Sequence, residues 1–586
     1  MKRIKILFLG TIFFFGPIAT YAQKDSVQLS REMTLEKDFD PVFRDASKIN
    51  SLPIVKEPKI ERSAIEYSDF TIRVTPKLQI PILGAAAPAD TQIKHENGFV
   101  RLGIGNYLNT VGQLEWSIVS TPRDLLHFGV EHQSSNGNIK LHQNNEKTKM
   151  KLNNERIVLG YKHLFDALEL STQLGYINKG FNYYGYRFYE APLQNGLKTG
   201  DWKQMQQGFD ARLGIKSSVK KVGFNYLFNV GYSYYGNKYN RLKQNGLEEN
   251  QIATNFNLFS FFENGNSFGL KGHMSNYFYA KDKEMNLYYS LKDVNDYTLL
   301  NLTPYFNIDR DNYFLHLGVL ASYSFNKENK LFIAPDVEAQ VKFIDELLLY
   351  AKVKGNVNEN SIQNIARENC FVSPDMRIQD SRTLFSSEVG FKIAPVSGLF
   401  IQPFIGYKMV ENEHFYVNNL FRSVTGSEFY PIYTDLKQFW VGGTIRYQYK
   451  KYLDLALSAV KNVYKTSSSV VHTNRSIDIR NAETKAWHKP ETELDLKLSS
   501  QVIPSLKLSV GYYLGAGRKA MTLRSNVADV ATLDDISELN FGATYTIVKK
   551  FSVWGQLNNI LNKKYELFQG YPAQGINFMI GAGYVF

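Results

Sequence analysis

The chain has 586 residues, 44% of them hydrophobic and 14% aromatic, with 37 tyrosines, one cysteine and a formal charge of +12. The lone Cys370 excludes an internal disulfide framework and reads as an incidental loop thiol. A basic balance can serve nucleic acid, but no basic run interleaved with stacking aromatics appears, so nucleic acid is set aside as a partner. The charge supports no more than a mild preference for anionic head groups or acidic ligands.

In chain order, Lys2, Arg3 and Lys5 precede an apolar run from Ile6 to about Ile18, and small residues follow at Thr20 and Ala22. This is the anatomy of a signal peptide, residues 1–22, with Gln23 as the mature N-terminus. The alternative, a membrane anchor, needs about 20 apolar residues, more than the run supplies. Residues 23–94 form a proline-rich extended segment, with prolines at 41, 53, 58, 76, 81 and 88 interrupting any long helix or ladder. A short strand is expected around "DFTIRV".

Residues 95–586 read differently. Segments of about 10 to 14 residues alternate apolar and polar, with Tyr and Phe at their ends. "LDLALSA" opposes Leu453, Leu455 and Leu457 to Asp454, Ala456 and Ser458, and "ELNFGATYTIV" opposes Leu539, Phe541, Tyr545 and Ile547 to Asn540, Gly542, Thr544 and Thr546. Ten short polar links recur at "STPRD", "LFDA", "SVKKVG", "ENGNS", "DRDN", "IDE", "APVSG", "YKKY", "VIPS" and "VKK". About 35 to 55 residues separate successive links, room for two strands and one longer loop. The expected fold is all-β, a transmembrane antiparallel β-barrel of 22 strands with short periplasmic turns. Polar, Asn- and Tyr-rich stretches such as "SSNGNIKLHQNNEKTK", "NENSIQNIARENCFVSPDMRIQDS" and "ENEHFYVNNLFRSVTGSEFYPIYTD" are expected as long external loops. A soluble β-sandwich or propeller would also alternate, and extraction without detergent would identify one.

The sequence closes on "GINFMIGAGYVF", where Phe578, Ile580, Tyr584 and Phe586 share a face. These residues resemble the terminal signal by which outer-membrane barrels are recognised for insertion, which implies the barrel assembly machinery as a partner. The preceding "NNILNKKYE" strand end and Gly-Tyr-Pro loop, with "ENCFVSPDMRIQDSRTLFSSEVGFKIAPVSGLFIQPFIGYK" upstream, resemble TonB-dependent receptors over roughly residues 98–586. That resemblance implies a 22-strand barrel in the Gram-negative outer membrane that transports or binds a solute. Such receptors carry a plug of well over a hundred residues, and the expectation here is a barrel without a recognisable one. "DSVQLSREMTLEKDF" can be read as a coupling-box-like strand for TonB, although short segments of that kind are common.

No HExxH, G-x-S-x-G elbow, P-loop or close His/Cys/Asp cluster appears, so no enzyme, metal or cofactor is expected, and His127 and His132 read as wall residues. The candidate site is the lumen. Glu388, Lys392, Arg446, Gln448, Asp454 and Lys507 fall on polar strand faces, where mixed charge sets solute preference or simply pairs across strands. Two functions follow: gated transport or binding of a solute, or a platform for partners. The platform would dock a periplasmic protein on segment 23–91 and a surface lipoprotein on the external loops, with outer-membrane lipid around the wall.

Overall fold

The computed structural model describes residues 97–586 apart from 189–201, 219–222, 240–245, 281–293, 327–329, 375, 377, 419–426, 451, 468–483 and 525–526. The expected signal peptide, proline-rich segment, "DFTIRV" strand and coupling-box-like stretch lie outside the described residues. Twenty-two strands form one antiparallel sheet, and its first strand, Gly98–Gly105, pairs with its last, Asn577–Val585. Closure leaves no open edge, which a sheet in hydrocarbon requires. All ten short links fall between consecutive paired strands, as at Thr110–Ser120 and Asp124–Lys140 or Leu453–Thr466 and Phe429–Tyr449.

The alternation resolves into two environments. Along the last strand Phe578, Ile580 and Tyr584 are 47, 61 and 44% exposed on the outside of the wall, whereas Asn577 and Met579 are buried inside. The same outward apolar rows continue at Ile157 and Leu159, Leu317 and Val319, and Val389 and Phe391. Large apolar side chains presented outward on strand after strand make the belt of a membrane barrel rather than the skin of a soluble one. Among the described residues no helix is long and apolar enough to cross a membrane.

The seam is tightly built. Gly103 sits opposite Gly581, and a Cβ on either residue would overlap the Trp554 indole, which lies across the seam on the inner wall. The Arg101 guanidinium stacks 4.0 Å from that ring. At the short-turn end the Phe586 amide donates to the Gly98 carbonyl (2.9 Å), and the Phe586 ring meets Trp116 edge-on, centroids 6.3 Å apart.

The outer end differs from expectation. Asp124–Lys140 and Lys147–Leu164 run 17 and 18 residues, and Leu399–Asn418 and Phe429–Tyr449 run 20 and 21, against the 9 to 11 that span a bilayer. Much of "SSNGNIKLHQNNEKTK" and of "ENEHFYVNNLFRSVTGSEFYPIYTD" is therefore ladder, paired as far as Lys140 with Lys147 and Asn418 with Phe429. Polar side chains on the outer face do not prevent pairing, because alternate residues find apolar cover within: Ile139, Met150 and Leu152 are buried.

Candidate functional site

Segments between strands fold over the outer mouth and meet in a core of 25 buried apolar side chains among the described residues. Central to it is the stretch between Leu347–Asn358 and Ser381–Val396, which carries one short helix, α1 (Ile362–Glu368). The Ser361 hydroxyl caps α1 by accepting from the Asn364 amide (3.3 Å), and Ile362, Ile365 and Ala366 give it a buried stripe.

Three carboxylates brace this stretch against the wall. Glu249, on Glu248–Phe261, accepts the Ile362 amide at 2.7 Å. Glu359 takes His273 Nε2 at 2.6 Å and the Tyr277 hydroxyl, both from Asn266–Ala280. Glu368 takes His414 Nε2 at 2.7 Å and the Tyr416 hydroxyl at 2.9 Å, from Leu399–Asn418. Burial works to raise the Glu359 carboxyl, but the hydrogen bond and charge of His273 outweigh it, and the group lies below the usual carboxylate range.

A second segment approaches from the stretch before the last strand. The buried Arg518 guanidinium donates to the Leu567, Glu566 and Asp534 carbonyls at 3.1, 2.7 and 2.8 Å. Tyr571 then stacks on Phe371, centroids 3.8 Å apart, and its hydroxyl donates to the Ser427 carbonyl at 3.0 Å. Tyr184 and Phe429 complete the cluster. Segments leaving the sheet at widely separated strands thus touch one another, which requires them to cross the interior. His488 sits in this core; burial, then the nearby Arg518 charge, push its imidazole down to about 3. Cys370 is also buried there, and burial raises its thiol, so it is a packed core residue rather than a surface loop thiol.

Nearer the short-turn end the inner wall is polar and paired. Asp336 lies between Lys271 (3.8 Å), His316 (3.2 Å) and Lys354 (3.6 Å). Lys352 reaches Glu388 at 2.8 Å, and Glu388 accepts the Tyr350 hydroxyl at 2.9 Å. Of the lumen candidates, Glu388 therefore sits in a cross-strand network, and the Lys392 ammonium stands 5.4 Å from the same Tyr350 ring. Gln448 is opposite Asp454, Arg446 opposite Phe400 and Ala456, and Lys507 opposite Gln501 and Thr544. Glu388 and Lys392 thus meet the same Tyr350 side chain and Gln448 pairs in register with Asp454, while Arg446 and Lys507 face no other candidate across the ladder. Sequence reasoning missed Asp336, Glu338, Lys352 and Lys354. Their signal is the i, i+2 spacing of like charge in "DVE" and "KVK", which register pairs as Asp336 with Lys354 and Glu338 with Lys352.

No family model matches the chain, and no curated protein matches it in sequence. Among solved structures it is similar to the ferripyoverdine receptor of the outer membrane of Pseudomonas aeruginosa, with TM-score 0.59 and 13% identity over 85% of this chain and 72% of that one. It is similar also to the siderophore receptor PiuA from Acinetobacter baumannii (0.59, 10%, 85% and 82%) and to the copper transporter OprC (0.56, 11%, 84% and 80%). At these identities the likeness is one of fold, and the fold is the 22-strand barrel of the TonB-dependent outer-membrane receptors.

Proposed function

We propose that the chain is an outer-membrane receptor that passes a hydrophilic, charged solute through its lumen, gated by the stretch that carries α1. The observation that carries this reading is the Phe371–Tyr571 stack, where two segments anchored on different parts of the wall meet across the mouth. The ion-paired wall beneath suits a solute that exchanges hydration for charge contacts. The receptors of like fold take ferripyoverdine, a siderophore or copper, and a metal chelate is a solute of the same hydrophilic class.

Opening is costly. The α1 stretch alone buries Ile362, Ile365, Ala366, Cys370, Phe371, Val372, Met376 and Ile378, and re-exposing eight apolar side chains costs on the order of 10 kcal/mol. Thermal fluctuation does not supply that, so a gate here needs ligand binding or external work, as energising by TonB would provide. The same cost supports the rival reading. A cap that stays shut suits a platform docking a periplasmic protein on segment 23–91 and a surface lipoprotein outside.

Planar-bilayer conductance separates the two. The experiment compares the mature chain, a chain starting near Gln92, and a chain with 361–378 replaced by a Gly/Ser linker. A silent mature chain and a conducting linker variant support the gate. Conductance in the chain starting near Gln92 makes the N-terminal segment the closure instead. Silence in all three favours the platform.

A further inference from the structure

Among the described residues, the outward face of the wall carries a strongly basic patch above the apolar belt. Lys140 on Asp124–Lys140 and Lys147, Lys149 and Lys151 on Lys147–Leu164 belong to paired strands, and Lys203 on Lys203–Ser217 lies one strand further on, across Leu168–Asn182. The alternation fixes their side: Ile139, Thr148, Met150, Leu152 and Gln204 are buried within, so their neighbours in sequence point out. Lys140, Lys147, Lys149 and Lys203 are exposed, and Lys151 is half-buried.

Height along the wall is set by strand geometry. From His163, in the outward Asp124–Tyr161–His163 cluster at the short-turn end, the strand rises about 3.3 Å per residue at a tilt near 40°. Leu159 and Ile157 fall within the belt, and Glu155 lies about 20 Å up, near the rim of a belt about 25 Å tall. Lys151 stands at about 30 Å and Lys147 at about 40 Å. The lysines occupy the polar layer immediately outside the hydrocarbon.

Among the described residues none of the five has a carboxylate within ion-pair distance. The described acids nearest in sequence to Lys147 and Lys151 are engaged elsewhere: Glu146 accepts from Asn144 (3.1 Å), and Glu155 accepts from Asn153 (3.0 Å) and Asn178 (3.1 Å) with His132 at 3.9 Å. Lys140 and Lys147 sit directly opposite each other, a like-charge pairing that destabilises a ladder unless an anion intervenes. The platform is rigid, because the buried Asn182 side chain donates to the Lys149 carbonyl and accepts the Lys151 amide, both at 2.7 Å.

We infer that this patch binds the phosphate-bearing saccharide head group of an outer-leaflet glycolipid. A membrane ligand is favoured over an acidic protein because the patch continues the lipid-facing surface, on the same strand faces and just above its edge. Lysines suit this role, since the stem lies along the belt while the ammonium reaches the phosphate layer.

The test is binding of purified full-length protein in detergent to bisphosphorylated lipid A, to its dephosphorylated form, and to polyglutamate, read by native mass spectrometry. The triple variant Lys147→Gln, Lys149→Gln, Lys151→Gln should bind bisphosphorylated lipid A about 10- to 100-fold more weakly, at roughly one tenfold step per lysine or less. The Arg triple should keep wild-type affinity, and Lys549→Gln with Lys550→Gln at a short turn should change nothing. Retained heat-modifiable gel mobility shows that each variant folds. The inference is overturned if the Gln triple binds like wild type or if removing the phosphates leaves wild-type binding unchanged. Displacement of lipid A by polyglutamate at equal charge overturns it in favour of an acidic protein.

Discussion

At the scale of single residues, the seam makes the sharpest demand on identity. Gly103 and Gly581 face each other because the Trp554 indole occupies the space where their side chains would go. Gly103→Val therefore forces overpacking, and a cost of about 1–3 kcal/mol is expected as a lower urea midpoint for barrel unfolding in vesicles. Trp554→Ala removes the obstacle, so the double variant should be more stable than the sum of the two single changes predicts. Strictly additive losses would mean that the ring and the glycines do not share that space. Nothing in the sequence tied residues 103, 554 and 581 together. "RLGIGNY" reads as an ordinary strand, and only closure, which pairs the first strand with the last, gives its glycine a reason.

At the scale of elements, the strands and short turns were legible and the cap was not. A link such as "DRDN" or "VKK" is polar and too short to be anything but a tight turn, so ten of them count the strands without any knowledge of contacts. The outer stretches obey no such rule. "NENSIQNIARENC" is polar on average, yet α1 turns Ile362, Ile365 and Ala366 to one side, and which wall covers that side is decided by long-range partners such as Glu249 and Tyr416. His488 reports on this packing. Its imidazole is neutral and buried, with Nε2 accepting the Gln569 amide at 3.2 Å. A folded value of about 3 lies below the ordinary 6.5, so the unfolded or opened cap binds the proton more readily. The contribution is whole above pH 6.5 and falls by about 1.4 kcal/mol per pH unit as pH drops toward 3. Cys370 supplies the readout, as the only thiol and one buried in the same core. Labelling of Cys370, normalised to the denatured chain at each pH, should accelerate about tenfold or more between pH 6.5 and 5, and His488→Gln should flatten that rise. A rate that stays level with pH in the wild type would show that His488 is not what acid opens.

At the scale of the whole molecule, every strand but the first and last pairs with neighbours close in sequence, whereas the ring is completed by contacts between residues 97–105 and 579–586. Closing a loop of that length is the slowest kind of contact to form, and interactions that exist only in the closed ring come last. Phe586 is placed where it affects this step. Its amide and carbonyl exchange hydrogen bonds with Gly98 and Asn97, and its ring supplies the edge contact to Trp116, on the strand that follows the first. A side chain whose contacts lie on the far partner contributes little to the last hairpin, Phe551–Asn558 with Asn577–Val585, and a good deal to closure. Phe586→Ala keeps the backbone bonds and removes the ring, so the hairpin should form as before while closure slows. Folding from urea into preformed vesicles, followed by the appearance of the heat-modifiable band, should then proceed several-fold more slowly, and Trp116→Ala should slow it to a similar extent. The pair substituted together should cost little more than either alone, because the contact can be lost only once. If Phe586→Ala folds at the wild-type rate into vesicles yet inserts poorly in cells, the ring acts as a label read by the assembly machinery rather than as a clasp on the ring of strands.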